Sequence, residues 1–179
     1  MWSLQVQTTF IVTFIGEDRP GLVETLSETI SAQGGNWLES RLSQLAGKFA
    51  GLIRVSLPES ASQDLQEALK ALDADGISVR VSPCTGETQA SDHTRLITLT
   101  VLGPDRPGIV REIAGALSVR SINVVDMESY VSPAPMSAEL LFHARVEAEI
   151  PHQGDMDELS DTLDTIANEM DVDIHLEQP

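Results

Sequence analysis

Apolar residues take every second position over Phe10, Val12 and Phe14, and again over Ile97, Leu99 and Val101. Period two predicts a strand with one buried face. Each run leads through a Pro-Gly pair into helical spacing. Leu22, Val23, Leu26 and Ile30 form one stripe; Ile109, Val110, Ile113 and Leu117 form its counterpart. Pro20 and Pro107 are placed in the first helical turn, where proline forfeits no needed N–H. Gly34-Gly35 stops the first of these helices. A second strand begins near Trp37 and near Val124. The third strand is clearest as Met136, Ala138, Leu140, Phe142, Ala144, Val146, Ala148 and Ile150, a run longer than the usual strand. Its weaker counterpart is Phe49, Gly51, Ile53, Val55 and Leu57, and Pro58 and Pro151 end the two runs. A second helix follows (Leu65, Ala68, Leu69, Leu72; then Leu159, Leu163, Ile166). The last strand is Ile77, Val79 and Val81, then Val172, Ile174 and Leu176.

The two halves are copies. Gly16-Glu17-Asp18-Arg19-Pro20-Gly21-Leu22-Val23 returns 87 positions later as Gly103-Pro104-Asp105-Arg106-Pro107-Gly108-Ile109-Val110. The register also carries Asn36 onto Asn123. Two copies are too few for a solenoid, so each is expected to be a small domain with its own core. The order β-α-β-β-α-β, twice, predicts an α+β protein of two ferredoxin-like units with antiparallel sheets. The domains are expected at residues 4–82 and 94–178. Residues 83–93, polar and without periodicity, read as the linker. The sheet face away from the helices, with Ser40, Arg41, Leu52 and Leu141 on it, needs cover. That predicts a homodimer built through sheet faces, edges and helices.

Charge narrows the partners. The net charge is −17, which argues against unaided binding to nucleic acid or to an anionic membrane. Residues 1–86 carry net −4 and residues 87–179 net −13. The acidic second half reads as a solvated face, or as a docking face for a basic partner. There is no apolar run of the roughly 20 residues a membrane span needs, and no signal peptide is expected at the N-terminus. The single cysteine, Cys84, excludes an intrachain disulfide and fits a reducing cytoplasm.

A strand, then Gly-x-Asp-Arg-Pro-Gly, then an amphipathic helix, then Asn at the start of the next strand, resembles the ACT domain family. The matching residues are Asp18-Arg19-Pro20-Gly21 with Asn36, and Asp105-Arg106-Pro107-Gly108 with Ile122-Asn123-Val124-Val125. The resemblance covers nearly the whole chain outside the linker. It implies binding of a small ligand, mainly an amino acid, and a role in metabolic regulation. A stand-alone pair of such domains is similar to the family of glycine cleavage system transcriptional repressors. That likeness implies control of transcription through a DNA-binding activator, with glycine as an example of ligand. The other implied role is a regulatory subunit of a metabolic enzyme. With the last strand ending just before Pro179, no catalytic domain is expected on this chain.

The residues themselves support a ligand site at the turn. Gly16 and Gly103 let backbone approach a ligand closely. The helix start offers N–H groups to a carboxylate, and Asn36 or Asn123 can read an amino acid's polar ends. Asp18 and Asp105 either serve the ligand or cap the helix, and Arg19 and Arg106 either pair with a carboxylate or lie in solvent. The candidate set is Gly16, Asp18, Arg19, Pro20, Gly21, Leu22 and Asn36 in the first copy. In the second it is Gly103, Asp105, Arg106, Pro107, Gly108, Ile109 and Asn123. The competing reading is an efficient strand-to-helix turn and nothing more. The copies differ: Trp37 stands where the second has Val124, Pro104 replaces Glu17, and Ser132-Pro133-Ala134-Pro135 is inserted before the long strand. The roomier second copy is the preferred site, and Trp37 reads as cover for an open sheet or as a pocket wall.

Other chemistry is thin. His93, His143, His152 and His175 lack metal-ligand spacing, and Cys84 has no second thiol, so neither a metal nor a cofactor is expected. No Gly-x-Ser-x-Gly elbow or Walker-type loop occurs, and the chain is not expected to be an enzyme. Asp157, Glu158, Asp161 and Asp164 favour a helix N-terminus, with a divalent-ion site as the minor reading.

Overall fold

The computed structural model of the chain describes residues 6–84, 94–135 and 137–177. It forms two compact units, Met1–Glu87 and Thr88–Pro179. The first unit runs β1 (Gln7–Glu17), α1 (Leu22–Ala32), β2 (Asn36–Leu45), β3 (Lys48–Pro58), α2 (Ser62–Ala71) and β4 (Ile77–Pro83). The second runs β5 (Thr94–Pro104), α3 (Ile109–Ser118), β6 (Asn123–Pro133), β7 (Leu140–Pro151), α4 (Met156–Met170) and β8 (Asp173–Glu177). Both sheets have the same antiparallel arrangement, β2-β3-β1-β4 and β6-β7-β5-β8. This is the ferredoxin-like order expected from the alternation of periods. Pro83 still pairs with Phe10, and the Cys84 N–H donates to the Thr9 carbonyl at 2.8 Å, so the first sheet extends through the start of the expected linker. The rest of that linker, residues 85–93, lies outside the described residues.

Each unit buries its own apolar face. Val12, Leu26, Ile53, Val55 and Leu57 are fully buried in the first, as are Leu99, Ala148 and Leu159 in the second. Burial of branched side chains at about 1.5–3 kcal/mol each is the main force holding each helix layer to its sheet. Val23 and Val110, read as part of the inward stripes, are exposed. Each is one residue from the buried Leu22 or Ile109, hence about 100° around the helix. Helix α1 ends as expected: Gly34 takes a φ of 71° and the Gly35 N–H donates to the Ile30 carbonyl at 2.9 Å. The second copy makes the same stop without glycine, with Ser121 at φ 56°.

The hairpins differ. Ala46 and Gly47, both at positive φ, join β2 to β3 tightly. In the second unit the longer loop 134–139 replaces this turn, closed by the Ala134 N–H donating to the Glu139 carbonyl at 2.8 Å. The expected long strand therefore begins at Leu140. Ala138 lies in the loop, Leu140 is exposed, and Met136 is outside the described residues. The alternation at Ala138 therefore belongs to the inserted loop and not to a strand.

Candidate functional site

The two strand-to-helix turns have the same construction. Gly21 and Gly108 are the residues before α1 and α3, at φ 89° and 105°, a region that favours glycine. Pro20 and Pro107 thus precede the cap instead of entering the first helical turn. No side chain caps either helix. Asp18 and Asp105 act through their backbone: their N–H groups donate to the Gly47 carbonyl at 2.9 Å and to the Leu140 carbonyl at 2.8 Å, tying each turn to the neighbouring hairpin. Leu22 and Ile109 are core residues, each 2% exposed, so they anchor the turn and offer no side chain to a ligand.

The arginines hold the turns from the other side. Arg19 donates to the Asp75 carbonyl at 3.0 Å, and Arg106 to Asp171 Oδ2 at 2.9 Å. In both copies the partner lies just before the last strand, so the arginine links the turn to the entry of β4 or β8. This role was hidden in the sequence, because the partners lie 56 and 65 positions downstream.

Gly16 and Gly103 make close approaches to the protein itself. A Cβ on Gly103 would lie 2.7 Å from Val172 Cα and 2.9 Å from the Asp171 carbonyl oxygen. On Gly16 it would lie 3.1 Å from Leu22 Cδ1 and 3.4 Å from the Gly76 oxygen. A larger residue at Gly103 would therefore displace the β8 entry, so the close approach expected toward a ligand is made to the protein's own backbone.

Asn36 and Asn123 do not meet the turn of their own domain. Along β3, Gly16 pairs with Phe49 and Asn36 with Ser56; along β7, Gly103 pairs with Phe142 and Asn123 with Glu149. Seven residues at about 3.3 Å place turn and asparagine roughly 23 Å apart, at opposite ends of the sheet. Pairing with Ser56 and Glu149 also puts both asparagines on the face away from the helices. The turn-plus-asparagine site expected within one copy is therefore not assembled by one domain.

Two hollows stand out among the described residues of the second unit. A groove of about 520 Å3 runs beside the end of β5, between the last turn of α4 and β8, and is lined by Gly103, Asp164, Asn168, Asp171, Asp173 and His175. Its three carboxylates disfavour an anion there. A narrower apolar groove lies between α3 and the β6 edge, lined by Val110, Ala114, Val124 and Met127 over the core. In the first unit Trp37 takes the position of Val124, pairs with the buried Val55 and packs on the core. Trp37 thus sits on the helix side of the sheet, not on the open face it was expected to cover.

His143 is half-buried, stacked on Tyr130 at 4.5 Å and within 3.0 Å of Ser132 Oγ. In α4, the first-turn acids Asp157 and Glu158 are joined by a cap that the sequence reading missed. Asp155 accepts from the N–H groups of both at 3.0 Å. Among the described residues, no group of three or more His, Cys, Asp or Glu is placed to hold a metal ion. No helix among them is long and apolar enough to cross a membrane.

The comparisons agree with the duplicated fold. The family model described as ACT domain matches residues 8–82 and 95–177. The glycine cleavage system transcriptional repressor of Escherichia coli (strain K12) is 21% identical over 168 residues, covering 94% of this chain and 88% of the relative. An unknown protein from Galdieria sulphuraria, known from its crystal structure, is similar with a TM-score of 0.86 at 29% identity, over 97% of this chain and 99% of that one. The crystal structure of a putative glycine cleavage system transcriptional repressor is similar in fold, with a TM-score of 0.71 at 18% identity, over 96% of this chain and 97% of that one.

Proposed function

The chain belongs to the ACT domain family, and from that premise we propose that it is a regulator that senses a small amino acid such as glycine and controls transcription through a DNA-binding protein partner. The observation that carries this reading is the likeness, along 94% of the chain, to a transcriptional repressor of glycine cleavage. The net charge of −17 supports action through a protein, because a DNA surface demands Lys and Arg. The work of the chain is binding and not catalysis, and its compartment is the cytoplasm.

The amino acid's carboxylate is received by the N–H groups at the start of α1 or α3, which have no intrahelical acceptors. Asn123 or Asn36, respectively, supplies the second contact. Since one domain holds these groups at opposite ends of its sheet, the complete site takes its turn from one chain and its asparagine from another in a homodimer. A strand array reversed against a second one brings one chain's turn end to the other's asparagine end. A thermal-shift screen across the amino acids tests the sensing: a ligand at 100-fold its Kd adds about 2.7 kcal/mol. Affinity capture tests the partner. Recovery of a DNA-binding protein supports the transcriptional role, whereas a metabolic enzyme in its place reassigns the chain as that enzyme's regulatory subunit.

A further inference from the structure

The outer faces of the two sheets carry opposite charge. Register assigns them, because residues paired across strands share a face. In the first sheet Ile53, Val55 and Leu57 point to the core, so Arg41, Lys48, Arg54 and Arg80 lie outward, together with Glu17 and Glu39. That face has net charge +2 among the described residues. In the second sheet Ala144, Val146 and Ala148 point inward. Asp126, Glu128, Glu147, Glu149, Asp173 and Glu177 lie outward, with Arg145 as the cation among them, for net −5. A chain of net charge −17 has therefore kept one sheet face basic.

Both faces also expose apolar side chains. Leu52 and Ile15 are each 49% exposed on the basic face; Leu102 is 42% and Tyr130 58% exposed on the acidic one. Solvation alone does not call for the charge contrast between the two faces.

We infer that the basic outer face of the first sheet in one chain packs on the acidic outer face of the second sheet in a second copy, and reciprocally. The charge match limits the occupant to the other face of this protein, and two reciprocal contacts between copies bury twice the area of a single contact within one chain. Opposed sheets pack about 10 Å apart with interdigitated side chains. Four strands about 4.8 Å apart and some seven residues long give a footprint of roughly 440 Å2 per face. Two reciprocal contacts then bury roughly 1,800 Å2 over both chains, inside the range of stable interfaces. Reciprocity closes the assembly at two chains. Asn36 and Asn123 lie on these same faces, so the packing also carries each asparagine to the other chain. The inference rests on the homodimer reading given above and specifies its surfaces.

Charge reversal tests it by sedimentation equilibrium, with circular dichroism reporting the fold. The native chain is expected at twice 19.4 kDa. The double variant Arg54→Glu with Arg80→Glu makes both faces acidic. The triple variant Glu147→Lys, Glu149→Lys and Glu177→Lys makes both basic. Each alone is expected to associate at least about tenfold more weakly, since like charges then oppose. An equimolar mixture of the two is expected to restore the dimer. If a multiple variant misfolds, Arg80→Glu and Glu177→Lys are used singly, each expected to weaken association severalfold. A monomeric native chain overturns the inference together with the dimer reading. A native dimer that these variants leave unchanged overturns the face assignment and leaves the dimer reading standing. Amino-acid binding by a monomer would preserve the sensing function while removing this interface.

Discussion

Gly103 lies against Val172, so close that a Cβ on the glycine would sit 2.7 Å from the valine Cα. Backbone cannot swing aside as a side-chain tip can. Gly103→Ala is therefore expected to cost about 1–3 kcal/mol, the scale of an overpacked core. Gly16→Ala meets a flexible leucine tip at 3.1 Å and is expected to cost less. Urea denaturation of the two variants measures the difference, and equal costs would show that the β8 entry yields freely.

Asp155 caps α4, whereas Asp18 and Asp105 cap nothing. Asp155→Ala is expected to lose about 1 kcal/mol. Asp18→Ala and Asp105→Ala keep their backbone bonds and are expected to stay within about 0.5 kcal/mol of the native chain. Thermal or chemical unfolding checks all three. A large loss at Asp105 would restore a structural role for its carboxylate.

The repeat at 87 positions made the strands, the first helix of each unit and the turn legible in the sequence. The distance from turn to asparagine was legible in principle too. A helix crossover returns the chain to the end where the first strand began, so β2 and β6 open far from the turns. Other features depend on distant residues. Arg106 gives no local sign of Asp171, and nothing near Trp37 shows that its ring packs inward on a core completed by Leu65 and Ile77. The alternation gives no sign that Ala138 lies outside a strand, and the pairing of Leu140 with Pro133 shows where the described strand starts.

The pure chain is not expected to bind duplex DNA at physiological salt. Its basic residues are outnumbered, 11 to 28, and no basic stripe crosses its described helices. Fluorescence anisotropy with labelled duplex checks this. Tight binding that weakens steeply with salt would move the chain from indirect to direct control of transcription.

The central claim is that the chain recognises a free amino acid with its duplicated turns and asparagines. Isothermal titration of the native chain and of Asn123→Ala, beginning with glycine and continuing through the other small amino acids, tests it most directly. The account predicts saturable binding of one of them. In the folded variant, loss of one or two hydrogen bonds is expected to weaken it by roughly 1–3 kcal/mol. No heat from any amino acid with the native chain, or unchanged affinity in Asn123→Ala, would contradict the account and leave the turn as a structural device alone.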